Sequence, residues 1–81
     1  MYPRQEEGGN MTVTVNLHSG RPLTFDLAHE SVTALYRGRA IAFVATDAFR
    51  KSKEGFHLTA DNDPGFYLDA ENLALIQSLI P

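Results

Sequence analysis

His18, His29 and His57 are the only imidazoles in the chain. A zinc site needs several convergent nitrogen, sulfur or carboxylate ligands, and the spacing of these three is irregular. His18 and His57 each fall on the polar side of a predicted strand, so they would meet if those strands pair. They could then titrate near neutral pH and make assembly pH-sensitive. Exposed strand histidines are the commoner outcome, and no metal or other cofactor is expected. The cluster Asp61-Asn62-Asp63-Pro64-Gly65 sets oxygen ligands at alternate positions before a glycine, as a calcium loop does. Pro64 stands where the loop should be permissive, a third acidic ligand is missing, and Asn72 stands where a bidentate Glu belongs. A hairpin loop explains the same residues without a metal.

Nucleophilic chemistry fares no better. Ser19, Ser31, Ser52 and Ser78 are the serines, and none lies in a Gly-x-Ser-x-Gly elbow. Ser19 follows His18 directly, but neighbours on a strand point to opposite faces. No phosphate loop or dinucleotide fingerprint occurs. The expectation is a protein that is not an enzyme. An enzyme would instead predict a ligandable pocket lined by His18 or His57.

A different constellation lies in segment 36–53. Tyr36, Arg37, Arg39, Arg50, Lys51 and Lys53 are interleaved with Phe43 and Phe49. Basic residues beside aromatics are what single-stranded nucleic-acid binding uses, charge tracking the backbone and rings stacking on bases. Against this, the chain has 7 Lys and Arg to 10 Asp and Glu, a net charge of −3. Phe43 is expected in the core, and cations around a short helix are ordinarily a solvated face. Tyr36 and Tyr67 offer amphipathic rings suited to an interface, or they pack at the core margin with hydroxyls in water. The charge is also uneven, because no Lys or Arg follows Lys53 while Glu54, Asp61, Asp63, Asp69 and Glu71 do. A basic centre and an acidic C-terminal third could pair one copy with another.

The elements that must position these residues follow from periodicity. The run 40–45 (AIAFVA) is apolar on both alternations, which predicts a central strand with both faces covered. Val13, Val15 and Leu17 alternate with polar neighbours, Ser19-Gly20-Arg21-Pro22 supplies a turn, and Leu23, Phe25 and Leu27 alternate again. This is a hairpin. Residues 32–36 read as a strand or as the end of a short helix beginning near Asp26, and Gly38 turns the chain into 40–45. Thr46 is the predicted N-cap of a brief helix over 47–53, closed by Gly55. Phe56, Leu58 and Ala60 resume a strand. For 70–80 two readings compete: a helix capped by Asp69, with Leu73, Ile76 and Ile80 on one side, or a strand. The rhythm shared by 23–35 and 66–76, an extended triplet, an Asp, a polar corner and a second apolar run, favours the strand. Strand, tight corner, strand is how SH3-like and Sm-like barrels turn between sheets, an analogy at the level of fold alone.

The expected fold is therefore mainly β: a small single-domain twisted sheet, or a partly open SH3-like or Sm-like barrel, with one short helix. The alternative is α+β, with a C-terminal helix packed on the sheet. Residues 1–10 (MYPRQEEGGN) carry little apolar content and read as a disordered tail before a single domain over 11–81. Purine-rich codons for Glu6-Glu7-Gly8-Gly9 resemble a bacterial ribosome-binding site, which predicts a natural start at Met11; an intact mass that retains residues 1–10 would refute it. With no cysteine among 81 residues, there is no disulfide and no thiolate chemistry, which fits a reducing cytoplasm. No apolar stretch nears the about 20 residues that cross a bilayer, so no membrane partner is expected. What remains is a small regulatory or accessory module, of bacterial or phage type, that binds another protein or itself through a sheet surface or edge. RNA or single-stranded DNA binding through 36–53 is the alternative.

Overall fold

The computed structural model describes residues 11–80; the expectations for the tail and for a start at Met11 lie outside the described residues. The chain is mainly β. Four strands form an antiparallel sheet in sequence order: β1 (Met11–Asn16), β2 (Pro22–Leu27), β3 (Ser31–Tyr36) and β4 (Arg39–Ala45). Helix α1 (Thr46–Lys51) follows, then a ribbon of β5 (Phe56–His57) and β6 (Tyr67–Leu68), and last helix α2 (Ala70–Gln77). The sheet is not a closed barrel, in keeping with the expected small sheet or partly open barrel.

Alternation decides which side of the sheet is covered. Val15, Leu23, Phe25, Leu27, Val32 and Ala34 are buried and join Phe49 of α1, Leu58, Leu68, and Leu73 and Ile76 of α2 in one core. Registers Val13↔Phe25, Phe25↔Ala34 and Ala34↔Ala42 put these side chains on one face. The other face carries Thr12, Thr14, Thr24, Asp26 and Thr33, with Thr14 and Thr24 hydroxyls hydrogen-bonded across the strands at 3.0 Å. Among the described residues, the helices and ribbon cover one face of the sheet and nothing covers the other.

Three expectations are overturned here. First, 40–45 is not central. Among the described residues β4 lies at the edge of the sheet and pairs only with β3, and Phe43 is 74% exposed rather than in the core. A fully apolar run does not distinguish a covered strand from an edge strand whose outer side stays apolar. Second, the stretch 70–80 is no strand: residues 70–77 are helix and 78–79 a turn. Asp69 caps α2, its carboxylate accepting from the Asn72 backbone N–H at 3.2 Å, and Leu73 and Ile76 enter the core three residues apart. Third, Thr46 is not a cap. Ala45 holds that place, and Thr46 is buried with its hydroxyl donating to Ala28 C=O at 2.8 Å. The helix also ends at Lys51, short of Lys53.

Side chains tie the elements together. The Gln77 amide donates to Phe49 C=O at 2.8 Å and Ser52 C=O at 2.7 Å, so α2 fastens the end of α1, where Phe49 C=O also accepts from the Ser52 N–H at 3.3 Å. The Asn72 amide donates to Asn16 C=O at 3.1 Å, holding the start of α2 against the end of β1.

Candidate functional site

The predicted basic and aromatic residues do not form one patch. Tyr36 ends β3, Arg37 and Gly38 make the turn, and Arg39 opens β4. Arg37 (φ 54°) and Gly38 (φ 80°) both adopt left-handed backbone, the geometry of a two-residue hairpin loop that matches strand twist. Arg50, Lys51 and Lys53 belong to the last turn of α1 and beyond it, reached only from the other end of β4. Seven strand residues, about 20 Å of chain, separate the two ends of that strand.

At the first end the rings are already engaged. Tyr36 meets Phe66 edge to face, with centroids 5.2 Å apart. The Arg21 guanidinium lies 4.5 Å from the Phe66 centroid and 5.8 Å from that of Tyr36, while Arg37 lies 5.3 Å from Tyr36. These are cation–π contacts that hold three loops together. Arg21 also sits 3.7 Å from Asp63. Asp63 in turn accepts from Gly65 N–H at 2.8 Å, so the 61–65 cluster folds as a loop closed on its own backbone. The Asp61 carboxyl lies below the ordinary carboxylate value chiefly because the Thr59 hydroxyl donates to it. Sequence reasoning missed Arg21 and Phe66 as members of this cluster; only the fold brings them to Tyr36.

The histidines do not meet. Among the described residues β1 pairs with β2 alone and β5 with β6 alone. His57 packs at a tilt of 58° against Tyr67, centroids 5.0 Å apart, and His18 lies 3.7 Å from Asp69. His18, Asp69 and Glu71 bring their potential ligand atoms within 4.8 Å of one another. Asp69 is committed elsewhere, with one oxygen accepting from the Asn72 backbone and the other from the Asn72 amide at 2.8 Å. The positive end of α2 also disfavours a cation there.

The remaining feature is at the edge of the sheet. A cleft of about 330 Å³ lies between residues 42–44 of β4 and residues 56–58, with Ser52 on its wall. His57 lines this cleft, the position an enzyme reading would ask of it. Ser52, however, donates its hydroxyl to Ala48 C=O at 3.1 Å, a helix-end contact rather than a nucleophile–base pair. Phe43 forms the rim, exposed, and apart from Ser52 and His57 the lining is apolar. Its place was readable in principle, since alternation from Ala42 and Val44 sends Phe43 to the face that the other strands keep polar. Comparison with protein-family models, curated proteins and solved structures gives no significant match.

Proposed function

We propose that this chain is a non-enzymatic interaction module of regulatory or accessory type, acting in the cytoplasm, whose recognition element is the outer edge of β4. One observation carries the reading: a seven-residue edge strand whose 40–45 segment has no charge and no proline, with Phe43 74% exposed on it. Natural edge strands are ordinarily blunted by charge, proline, a bulge or cover; the register of β4 shifts between Ala42 and Ala40, and 42–45 stays in regular pairing. An extended segment laid along β4 would gain main-chain hydrogen bonds and seat alternate side chains in the cleft beside residues 56–58. The cysteine-free composition supports a reducing compartment.

Nucleic-acid binding draws less support, because the rings of Tyr36 and Phe66 are taken by Arg21 and Arg37 and the cations stand at two ends of β4. Parallel capture with the wild-type chain and with Phe43→Lys tests the proposal. A chain retained by the wild type, at a salt level that screens charge, and lost with Phe43→Lys is expected. Equal retention by both refutes the edge. Anisotropy of a random single-stranded oligonucleotide that rises at low salt and falls with Arg37→Ala/Arg39→Ala would favour nucleic acid instead.

A further inference from the structure

Tyr36 collects positive charge. The Arg37 guanidinium lies 5.3 Å from its ring centroid and that of Arg21 5.8 Å. Arg39 stands opposite Tyr36 in the β3–β4 ladder, so its side chain leaves on the face that Tyr36 occupies. Among the described residues one acid answers these three cations, Asp63, 3.7 Å from Arg21. Arg37 and Arg39 are exposed, and neither has an ion-pair partner among the described residues. In a chain of net charge −3, this end of the sheet keeps an excess of two positive charges. Arg21 is held in place. It packs 4.5 Å over Phe66, and a Cβ at Gly65 would lie 2.8 Å from its Nη1. The Ser19 hydroxyl donates to Gly65 C=O at 2.8 Å, which steadies the loop that Arg21 rests on. Arg37 sits at φ 54°. Gly, Asn or Asp ordinarily takes that place in a two-residue hairpin loop, and a long side chain there strains the backbone. A neutral Asn would relieve the strain and forfeit only an exposed cation–π contact, so the fold alone does not call for this arginine.

We infer that Arg21, Arg37 and Arg39 around Tyr36 form a binding site for a phosphate dianion, free or esterified to a small organic group. A guanidinium fork offers parallel N–H donors to two oxygens of one phosphate. With its face toward a ring, it keeps the donors on its rim for a ligand. The local excess of two positive charges matches a phosphate that carries close to two negative ones, whereas a carboxylate would leave one charge unanswered. Lys51 and Lys53 stand at the far end of β4, a strand's length away. One compact anion therefore fits this end better than a long polyanion. The rings of Tyr36 and Phe66 form the apolar floor against which the organic part of an ester would rest. The site owes nothing to the β4 edge and stands or falls apart from it.

Titration of the isotope-labelled 81-residue chain with inorganic phosphate and with phenyl phosphate, at an ionic strength held constant with chloride, tests this by amide chemical shifts. Saturable shifts at Arg21 and at 36–39 are expected, with the Lys51 and Lys53 amides unmoved. Equal affinity for both probes marks free phosphate as the ligand, and tighter phenyl phosphate marks an ester whose organic part meets the rings. Arg37→Asn should weaken binding by about fivefold or more while leaving Tm unchanged or higher, because Asn suits the turn. Gly65→Ala should weaken it as well, by pushing the Arg21 guanidinium aside, and Lys53→Gln should leave it unchanged. A wild-type chain with no saturable shift for either probe overturns the inference. So does binding that Arg37→Asn retains in full, or that Lys53→Gln loses equally, since general charge would then explain it. Should a variant unfold, the wild-type shift map decides: shifts spread over the surface rather than gathered at Arg21 and 36–39 are the refuting result.

Discussion

The Thr46 hydroxyl donates to the Ala28 carbonyl at 2.8 Å across 18 residues of chain, from a side chain only 1% exposed. It links the first residue of α1 to the corner between β2 and β3, while the Thr46 N–H takes Glu30 C=O. One residue thus converts the end of β4 into a helix start and fastens that helix to the sheet.

Thr46→Val removes the hydroxyl without changing the shape of the side chain. The Ala28 carbonyl then loses a donor beside the core, which costs about 1–3 kcal/mol. In a domain of this size, about 1 kcal/mol lowers Tm by about 4–8 °C. Thermal unfolding should show a drop of that order, and an unchanged Tm would mean that water replaces the hydroxyl.

Asp69 sets an acid-side dependence of stability. Burial pushes its carboxyl up, but the backbone N–H and amide of Asn72, its own N–H and the nearby His18 together outweigh burial, leaving it below the ordinary value of 3.8. A carboxyl depressed in the folded state contributes stability that is present above its unfolded pKa. That contribution is lost as pH falls through the folded value. Urea unfolding followed from neutral pH into the acid range should therefore lose stability below about pH 4, and Asp69→Asn should flatten part of that loss. Asp69→Ala also removes the cap of α2, at a cost of about 0.5–2 kcal/mol at neutral pH. A profile identical in wild type and Asp69→Asn would assign the acid sensitivity to other carboxylates.

Ile76 and Leu75 separate the helix from the strand reading of the C-terminal stretch. Ile76 is fully buried and Leu75 is 50% exposed, as α2 requires. Ile76→Ala should cost about 2–5 kcal/mol through the cavity it leaves, a large share of a small domain's total. Leu75→Ala should stay within about 0.5 kcal/mol. Denaturant midpoints of the two variants give the contrast, and comparable losses at both positions would argue against α2 as placed.

These elements also show where the sequence speaks and where it is silent. Alternation at Val13, Val15, Leu23, Phe25 and Leu27 is a local signal, and the β1–β2 hairpin was legible because sheet period and turn chemistry agree there. The order of strands is not local. The 40–45 run looks the same to periodicity whether it lies at the centre or the edge, and only the docking of α1 and the ribbon onto one face decides. The C-terminal helix was hidden because its eight residues, AENLALIQ, show apolar side chains on more than one side. The signal that outweighs the shared rhythm is the cap already named in the helix reading, Asp69, a side-chain acceptor three residues before the Asn72 N–H it serves. The basic segment 36–53 is split between two places in the fold for a related reason. Its residues are close in sequence, yet a whole strand lies between Arg39 and Arg50.

Gly55 and Gly38 make the last prediction, because they are required for different reasons. A Cβ at Gly55 would collide with the Leu68 carbonyl oxygen and lie 2.6 Å from the Tyr67 hydroxyl and 2.9 Å from the Asp69 Cα. Two of these neighbours are backbone and cannot swing aside. A Cβ at Gly38 would meet nothing within 4 Å, but the residue sits at φ 80°. Strain there is conformational, about 1–2 kcal/mol for a residue that dislikes left-handed backbone. Asn tolerates that region better than Ala. Gly38→Asn should therefore recover much of the stability lost by Gly38→Ala. At Gly55 the obstacle is space, so Gly55→Asn should be at least as damaging as Gly55→Ala, with each losing about 1–3 kcal/mol or more from overpacking. Chemical denaturation of the four variants reads this directly. Rescue by Asn at position 55 would mean that the approach of Gly55 to β6 is looser than its contacts with Leu68 and Asp69 require.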